Sequence, residues 1–304
     1  MNSKSSAGLS ADNYPTHSEP PVCLPFDPDL QVPRARLPAG SCDCHFHVYE
    51  DPAIYPLSAG RGYTPAMASW ESYVAMLNKM GFSRAVLVHP SPYGPDHRIH
   101  EEVLQEHQSM LRGVAVTFAQ TPDADIARWH ELGTRGTRFN LISAGGPAPE
   151  TMATVADKVR EYGWHLQLMV DVNSNPDALS NAARLQLPLV VDHIGHTDAS
   201  TALAGKGWRD LIARVRDGSA WVKLSGVYRV ATDRKHYTDA RPMWDALIEA
   251  NPAQLVWGSD WPHPDVTSPM PNDTDLTNLL ADWLTEDLRQ QILVDNPTRL
   301  YWTD

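Results

Sequence analysis

Eight short apolar segments alternate with longer helix-like segments, and this alternation constrains the fold more than any other feature of the sequence. Each short segment is rich in Val, Leu and Ile, a composition that favours β-strands. Eight strand–helix units in about 250 residues predict an α/β protein with a (β/α)₈ TIM barrel. The predicted strands are Ser41–Tyr49, Ala85–Pro90, Leu111–Phe118, Gly136–Ile142, Trp164–Asp171, Leu187–Gly195, Ala220–Gly226 and Leu255–Trp261.

The segments between these strands show helical periodicity. In Ser69–Met80, large apolar residues recur at i, i+3, i+4 and i+7, and Gly81 follows as a stop signal. A doubly wound open sheet is the alternative fold, but it usually carries a Gly-rich phosphate turn after its first strand, and this sequence has none there. The other predicted helical segments are Pro149–Tyr162, Trp208–Arg216, Arg241–Ala250 and Leu276–Val294.

Residues 1–40 differ in composition from the rest of the chain. They hold seven of the 25 prolines, and proline at this density blocks helices and sheet ladders. We therefore predict an extended Pro-rich arm over residues 1–40, partly disordered at its start, and one barrel domain over residues 41–304. The sequence leaves open whether the arm wraps its own domain or a partner subunit, and an oligomer is compatible with it.

Charge and hydropathy exclude several classes of protein. A net charge of -12 disfavours nucleic-acid binding, which needs a basic surface. No apolar run approaches the ~20 residues that span a bilayer. Met1–Ala11 lacks the apolar core of a secretory signal, and an odd set of three cysteines indicates reduced thiols, so we expect a cytoplasmic protein. Cys42 and Cys44 alternate with the neighbouring histidines and should face away from the barrel interior.

Polar side chains stand at the ends of three predicted strands, where TIM barrels carry their active sites. His45 and His47 are two positions apart on the first strand and project to the same side. His193 follows the apolar residues of the sixth strand, and Asp260 closes the eighth. Because all four fall on one rim, they predict a catalytic or metal-binding cluster.

Further polar groups at the same rim suit an anionic substrate. Arg138 and Arg229 lie at the ends of the fourth and seventh strands, and Arg recognises carboxylate or sulfonate in a bidentate manner. By contrast, His97, His100 and His107 lie on a helix-like stretch and are expected to be solvated. The other predicted substrate contacts are Ser91, His196, Tyr228 and His263.

The segments DCHFH, VVDHIGH and WGSDWPH resemble the amidohydrolase superfamily, and most closely its branch of 2-pyrone-4,6-dicarboxylate lactonases and sulfomuconolactone hydrolases. The resemblance covers about residues 40–304 and implies a distorted (β/α)₈ barrel. It also implies that His45, His47, His193 and Asp260 form the catalytic core. It further implies that Ser91, Arg138 and Arg229 hold the acid groups of the substrate.

The same resemblance bears on how many metal ions the protein binds. Members with two ions bridge them with a carboxylated Lys, usually on the fourth strand, and Gly136–Ile142 contains no Lys. The sequence therefore favours one Zn²⁺ held by His45, His47, His193 and Asp260. A mechanism without metal, in which the histidines polarise the carbonyl directly, stays open.

These observations predict an enzyme that hydrolyses a small anionic lactone in aromatic-compound catabolism, with Asp260 as general base. Lactonases of the pyrone type tend to carry further basic residues after RFN, but Leu141–Gly146 has none. A sulfomuconolactone or muconolactone is thus favoured at least as strongly as a pyrone dicarboxylate. Two alternatives are a metal-dependent decarboxylase on the same scaffold and a barrel that merely binds zinc or a small acid.

Overall fold

Eight parallel strands lie side by side in chain order in the computed structural model, which describes residues 19–266 and 269–303. The segment that follows β8 meets β1 through a parallel bridge between Phe46 and Trp261, which brings the two edges of the sheet together into a nearly closed barrel. The predicted TIM barrel is therefore confirmed. The strands are β1 Cys42–Phe46, β2 Arg84–Val88, β3 Leu111–Ala115, β4 Thr134–Asn140, β5 His165–Met169, β6 Leu189–Val191, β7 Ala220–Leu224 and β8 Leu255–Trp257.

Helices connect the strands and cover the outside of the barrel. Ser69 caps the first of them by accepting a hydrogen bond from the backbone N–H of Ser72. No helix among the described residues is both long and apolar enough to cross a bilayer. The helices are α1 Trp70–Met80, α2 Arg98–His107, α3 Asp123–Glu131, α4 Met152–Val159, α5 Ala178–Ala183, α6 Lys206–Asp217, α7 Val227–Val230, α8 Arg241–Ala250, α9 Asp273–Trp283, α10 Glu286–Gln290 and α11 Asn296–Tyr301.

The strands are shorter than predicted at their carboxyl ends, where the polar rim residues lie. β6 ends at Val191, and the backbone of His193 then adopts a φ of 50°. Asp260, beyond the end of β8, has a φ of 64°. A left-handed backbone cannot continue a strand, so these residues sit in turns above the barrel.

A separate apolar cluster fills the inside of the barrel. Val114 of β3 and Val256 of β8 belong to it, although these strands are not neighbours in the sheet, so their side chains meet through the interior. Cys42 and Cys44 are part of this cluster, and the prediction that they face away from the interior was wrong. The reason is an irregular register in β1 that interrupts the strict alternation of side chains.

The described part of the arm, residues 19–40, lies along α9 of its own chain. The backbone N–H groups of Gln31 and Arg34 donate to the Thr274 and Asn278 side chains at 2.8 Å each. The first eighteen residues of the predicted arm lie outside the described residues. Three arm side chains are buried in the main hydrophobic core: Cys23, Leu30 and Leu37.

The helix that follows β2 buries histidines that were expected to be solvated. His97 and His100 are buried, and His97 stacks between His89 and Trp129 with ring centroids 3.8 and 4.1 Å away. His107 is partly exposed and stacks on Trp70. The expectation was wrong for His97 and His100 because the face of α2 that carries them packs on the barrel.

The contact between β8 and β1 at Gly258 yields a stability prediction. A methyl group at Gly258 would lie 2.6 Å from Cβ and 2.8 Å from the backbone N of His45. We expect Gly258→Ala to lower the free energy of unfolding in urea by about 1–3 kcal/mol, since one strand must move. Gly60→Ala is the control, because its methyl group would come no closer than 4.0 Å to the Ser58 side chain. A Gly258→Ala protein as stable as the Gly60→Ala protein would contradict the close approach of Gly258 to His45.

Candidate active site

The structure brings the four predicted core residues together at the carboxyl ends of the strands. The Nε2 atoms of His45 and His47 are 3.3 Å apart, and Asp260 Oδ1 lies 3.7 and 3.8 Å from them. His193 Nδ1 lies 3.7 Å from the other carboxylate oxygen of Asp260. Each of the four side chains is at most 2% exposed. Their chemistry is therefore confined to the small space between them.

Backbone hydrogen bonds between the end of β1 and the segment after β8 set this geometry. The N–H of Asp260 donates to the carbonyl of His45 at 2.8 Å, and the N–H of His47 donates to the carbonyl of Trp261 at 2.8 Å. His193, which follows β6, has a partner next to β7. Its Nδ1 lies 2.9 Å from the hydroxyl oxygen of Ser225, which follows that strand. The two histidines of β1 and the carboxylate after β8 are thus placed by main-chain pairing rather than by flexible loops.

A buried carboxylate beneath the site holds the turn after β8. Asp43 accepts hydrogen bonds from the Ser259 N–H at 2.8 Å, the Ser259 hydroxyl at 2.6 Å and the Tyr73 hydroxyl at 3.0 Å. Burial raises the pKa of Asp43 to about 6, although these hydrogen bonds act in the opposite direction. Asp43 therefore has a structural position behind the residues that face the site.

The two oxygens of Asp260 have different surroundings. Oδ2 accepts hydrogen bonds from the Tyr228 hydroxyl and from Arg229 Nε, both at 2.7 Å. Oδ1 is buried and has no hydrogen-bond partner among the described residues. Burial alone would raise the pKa of Asp260, but Arg229 and the neighbouring histidines outweigh it and hold that pKa well below its usual value. Asp260 is thus a carboxylate with one anchored and one unengaged oxygen.

Asp192 is a second buried carboxylate of the site, and the sequence analysis did not assign it. It accepts from Arg138 Nε at 2.8 Å and from Gln167 Nε2 at 3.1 Å, and its Oδ1 lies 3.3 Å from His45 Nδ1. Burial opposes its ionisation, but Arg138, His45 and Lys223 keep the pKa of Asp192 well below normal. The available signal was its position directly after the apolar β6, at the same rim as Asp260.

The sequence analysis did not single out Lys223 either. It is fully buried inside the barrel, where its Nζ donates to the Cys44 carbonyl at 2.9 Å and lies 3.4 Å from His45 Nδ1. Burial lowers the pKa of Lys223 to about 8. A single Lys in the apolar strand AWVKL was the signal, because lysine is almost never fully buried without a partner.

The site histidines are neutral near pH 7. Burial, together with the Lys223 ammonium, lowers the pKa of His45 to about 4. Burial also lowers the pKa values of His47 and His193 well below the usual value. His47 Nδ1 lies 2.7 Å from the Val88 carbonyl, which places the ring proton on Nδ1 and a lone pair on Nε2. Neutral imidazoles with a lone pair towards the site are the form that binds metal ions.

The donor set fits a divalent metal ion such as zinc. The ligand atoms of His45, His47 and Asp260 all lie within 4.8 Å of one another, and those of His45, Asp192 and His193 form a second such group. Tetrahedral Zn²⁺ with Zn–N bonds of ~2.0–2.1 Å separates two nitrogens by about 3.3 Å. The His45 and His47 Nε2 atoms have this separation. The unpartnered Oδ1 of Asp260 faces the same point, so nitrogen and oxygen ligands converge there.

Two adjoining cavities lead from this cluster towards the surface. The inner one is lined by His47, His193, Asp260, Arg138 and others, and the outer one has a volume of about 230 Å³. Met169, Arg229 and Asp265 line both. The outer cavity has room for a small molecule, whereas the inner cavity beside Asp260, at about 20 Å³, has room for about one water.

The predicted substrate contacts are distributed over these walls. Arg138 lines the inner cavity, Arg229 lines both, and Tyr228 and His196 line the outer one. Ser91 and His263 are buried and line neither cavity.

The outer cavity also holds Arg234 and Tyr237, which the sequence analysis did not single out. Arg234 donates to the Tyr228 carbonyl and has no ion-pair partner within the described residues. It lies in an irregular segment after α7, where no periodic pattern points to it.

Comparison with known proteins finds relatives that match this chain over most of its length. The chain is 32% identical over 292 residues to 4-sulfomuconolactone hydrolase of Hydrogenophaga intermedia, covering 92% of this chain and 95% of that protein. It is 30% identical over 289 residues to 2-pyrone-4,6-dicarboxylate hydrolase of Comamonas testosteroni, covering 90% and 93%. A solved structure from Agrobacterium tumefaciens superposes with a TM-score of 0.80 at 25% identity, covering 90% of this chain and 99% of that one.

The family relationship spans nearly the whole barrel. A family model described as amidohydrolase matches residues 42–302, a range that begins with β1 and ends just after α11. The match includes all four core residues and both buried arginines of the site. This chain is a hydrolase that belongs to the amidohydrolase family.

Proposed function

We propose that this enzyme hydrolyses a small anionic lactone of the sulfomuconolactone, muconolactone or 2-pyrone-4,6-dicarboxylate type. The observation that carries the proposal is the unengaged Oδ1 of Asp260, which faces neutral imidazoles at the floor of a cavity with arginines on its walls. The names of the two relatives that match nearly the full chain support the same substrate class and a place in aromatic-compound catabolism.

Asp260 acts as the general base in this proposal. Because the Arg229 guanidinium keeps the pKa of Asp260 low, the carboxylate is ionised at neutral pH, and Oδ1 is available to accept a proton. Water adds to the lactone carbonyl carbon and gives a proton to Oδ1. The bond from that carbon to the ring oxygen then breaks, and the ring oxygen takes the proton from Asp260. The product is the open-chain acid.

A carboxylate of such low pKa is a weak base, so the carbonyl must be activated by another group. One Zn²⁺ held by His45, His47 and one lone pair of Asp260 Oδ1, with His193 beside them, would supply Lewis-acid polarisation of a carbonyl and leave the second lone pair of Oδ1 for the proton. β4 carries Arg138 and no Lys, in keeping with a single ion. Without metal, an imidazole N–H of the same cluster would donate to the carbonyl oxygen.

Arg138 and Arg229 each use Nε for a buried carboxylate, Asp192 and Asp260 respectively. A guanidinium carries five N–H donors in a planar fork, so each arginine keeps donors for a second acceptor. We place the acid group nearest the lactone ring against Arg138, and a second carboxylate or sulfonate against Arg229 in the outer cavity. These contacts align the carbonyl with the attacking water.

The first prediction concerns the reaction itself. Purified protein should hydrolyse at least one member of a panel of 4-sulfomuconolactone, muconolactone and 2-pyrone-4,6-dicarboxylate, followed by ultraviolet absorbance and by product mass. The product should gain one water relative to the substrate. Release of carbon dioxide from unsaturated or aromatic acids, with no lactone turnover, would instead identify the decarboxylase alternative.

The second prediction tests the base. Asp260→Asn removes the proton acceptor but keeps the size of the side chain, and we expect kcat to fall by about 10²–10⁴-fold. Circular dichroism should show an unchanged fold. Asp177→Asn is the matched control, because Asp177 is exposed and pairs with Lys206 at the surface. Activity of Asp260→Asn within a few-fold of the parent would rule out the assignment.

The third prediction concerns metal. Elemental analysis of the purified protein should find about one zinc ion per chain, and His47→Asn should lower the content because a ligand nitrogen is lost. A chelator should reduce lactone hydrolysis, and added Zn²⁺ should restore it. His100→Gln serves as the control, since His100 is equally buried but contacts Thr134 away from the site. Full activity in metal-depleted protein would favour direct polarisation by the histidines.

A further inference from the structure

Asp260 is the inner end of a row of four buried polar groups that leads to α9. The Tyr228 hydroxyl donates to Asp260 Oδ2 at 2.7 Å, and its oxygen lies 3.2 Å from His263 Nδ1. The opposite ring nitrogen, His263 Nε2, lies 3.2 Å from Asp273 Oδ1. All four side chains are at most 3% exposed. The row runs behind the cavity wall, since His263 and Asp273 line neither cavity.

The outer end of the row is costly to bury. Asp273 is the first residue of α9, and no conventional hydrogen bond from the described residues reaches either of its carboxylate oxygens. The helix N-terminus offsets part of the desolvation of this carboxylate. Its nearest polar group among those residues is His263 Nε2 at 3.2 Å, which is an ion-pair distance without hydrogen-bond geometry. A buried carboxylate with this single partner indicates that its position serves the histidine.

The protons of the row can be counted from its chemistry. Tyr228 has a single hydroxyl proton, which points either to Asp260 or to His263. The contact of the hydroxyl with Asp260 is 2.7 Å and that with His263 is 3.2 Å, so the hydroxyl proton belongs to the former. His263 Nδ1 is then a donor to the tyrosine oxygen.

We propose that His263 and Asp273 are positioning residues that keep Tyr228 as a hydrogen-bond donor to Asp260 Oδ2. Tyr228 and Arg229 together fix that oxygen, and Oδ1 is thereby reserved for the reaction. Tyr228 and His263 are accordingly support for the base rather than contacts to the substrate. The inference rests on the proposed function only for the role of Asp260 as base, because the pairing itself exists without substrate.

The sequence context explains how two distant elements meet at this point. His263 follows the turn after β8 with a φ of 63°, and its N–H donates to the Asp260 carbonyl at 2.7 Å. Asn272 caps α9 by accepting from the Thr274 N–H, which places Asp273 in the first turn and facing inward. Each residue is therefore held by its own backbone before the side chains pair.

Enzyme kinetics provide the first test. Asp273→Leu and Tyr228→Phe should each lower kcat for the lactone by about 10-fold with little change in KM, as is usual for residues that orient a reacting group. The double variant should be no slower than Tyr228→Phe alone, because both substitutions break one row. Asp273→Asn keeps an acceptor oxygen and should recover part of the loss. Additive effects, or a change confined to KM, would overturn the proposal.

A spectroscopic test needs neither substrate nor metal. In protein labelled with ¹⁵N-histidine, His263 should give a slowly exchanging ring N–H resonance, assigned by its loss in His263→Gln. This resonance should move or vanish in Asp273→Leu and move in Tyr228→Phe, but not in the control His100→Gln. An unaltered resonance in Asp273→Leu would overturn the pairing. Should Asp273→Leu fail to fold, Asp273→Asn and Tyr228→Phe give the same comparison.

The two tests separate the inference from the proposed function. Expected resonance shifts in a protein that hydrolyses no lactone would overturn the proposed function and keep the pairing. Lactone turnover that is insensitive to Tyr228→Phe and Asp273→Leu would keep the proposed function and overturn the inference.

Discussion

The hydrogen bonds between the ends of β1 and β8 are the constraint on which the site depends. They join the backbone of His45 and His47 to that of Asp260 and Trp261. Because these bonds also close the barrel, the fold cannot form without bringing two imidazoles and a carboxylate together. The absence of a side chain at Gly258 permits this approach, since a Cβ there would overlap the backbone of His45.

The site places several charges in a space that water barely reaches, and each is compensated. Asp260 pairs with Arg229, and Asp192 pairs with Arg138. Such pairs cost desolvation energy that their attraction only partly recovers, so they are retained for what they position rather than for stability. Here they keep both carboxylates ionised, and they direct one oxygen of each towards the histidines.

The barrel and the four candidate catalytic residues were predictable because they depend on features that are local in the sequence. Apolar runs mark the strands, and polar residues just beyond the end of such a run mark the rim, as with His193 and Asp260. The partners of those residues were not predictable. Arg229 looked like a substrate contact, but which of its donors Asp260 occupies depends on the tertiary fold. The predictions for Cys44 and His97 were wrong for the same reason. An irregular register in β1 and the packing around α2 leave no signal in the local sequence.

The arm shows that the part of the chain that matches the family model and the part that shares the hydrophobic core have different boundaries. The family match begins at residue 42, yet Cys23, Leu30 and Leu37 lie in the hydrophobic core with residues of the barrel. The arm is anchored on Thr274, the residue next to Asp273. A fragment trimmed to the family boundary would keep every residue of the candidate site, but it would expose apolar surface beside the helix that supports Asp260. A protein expressed for study should therefore include the described part of the arm, residues 19–40.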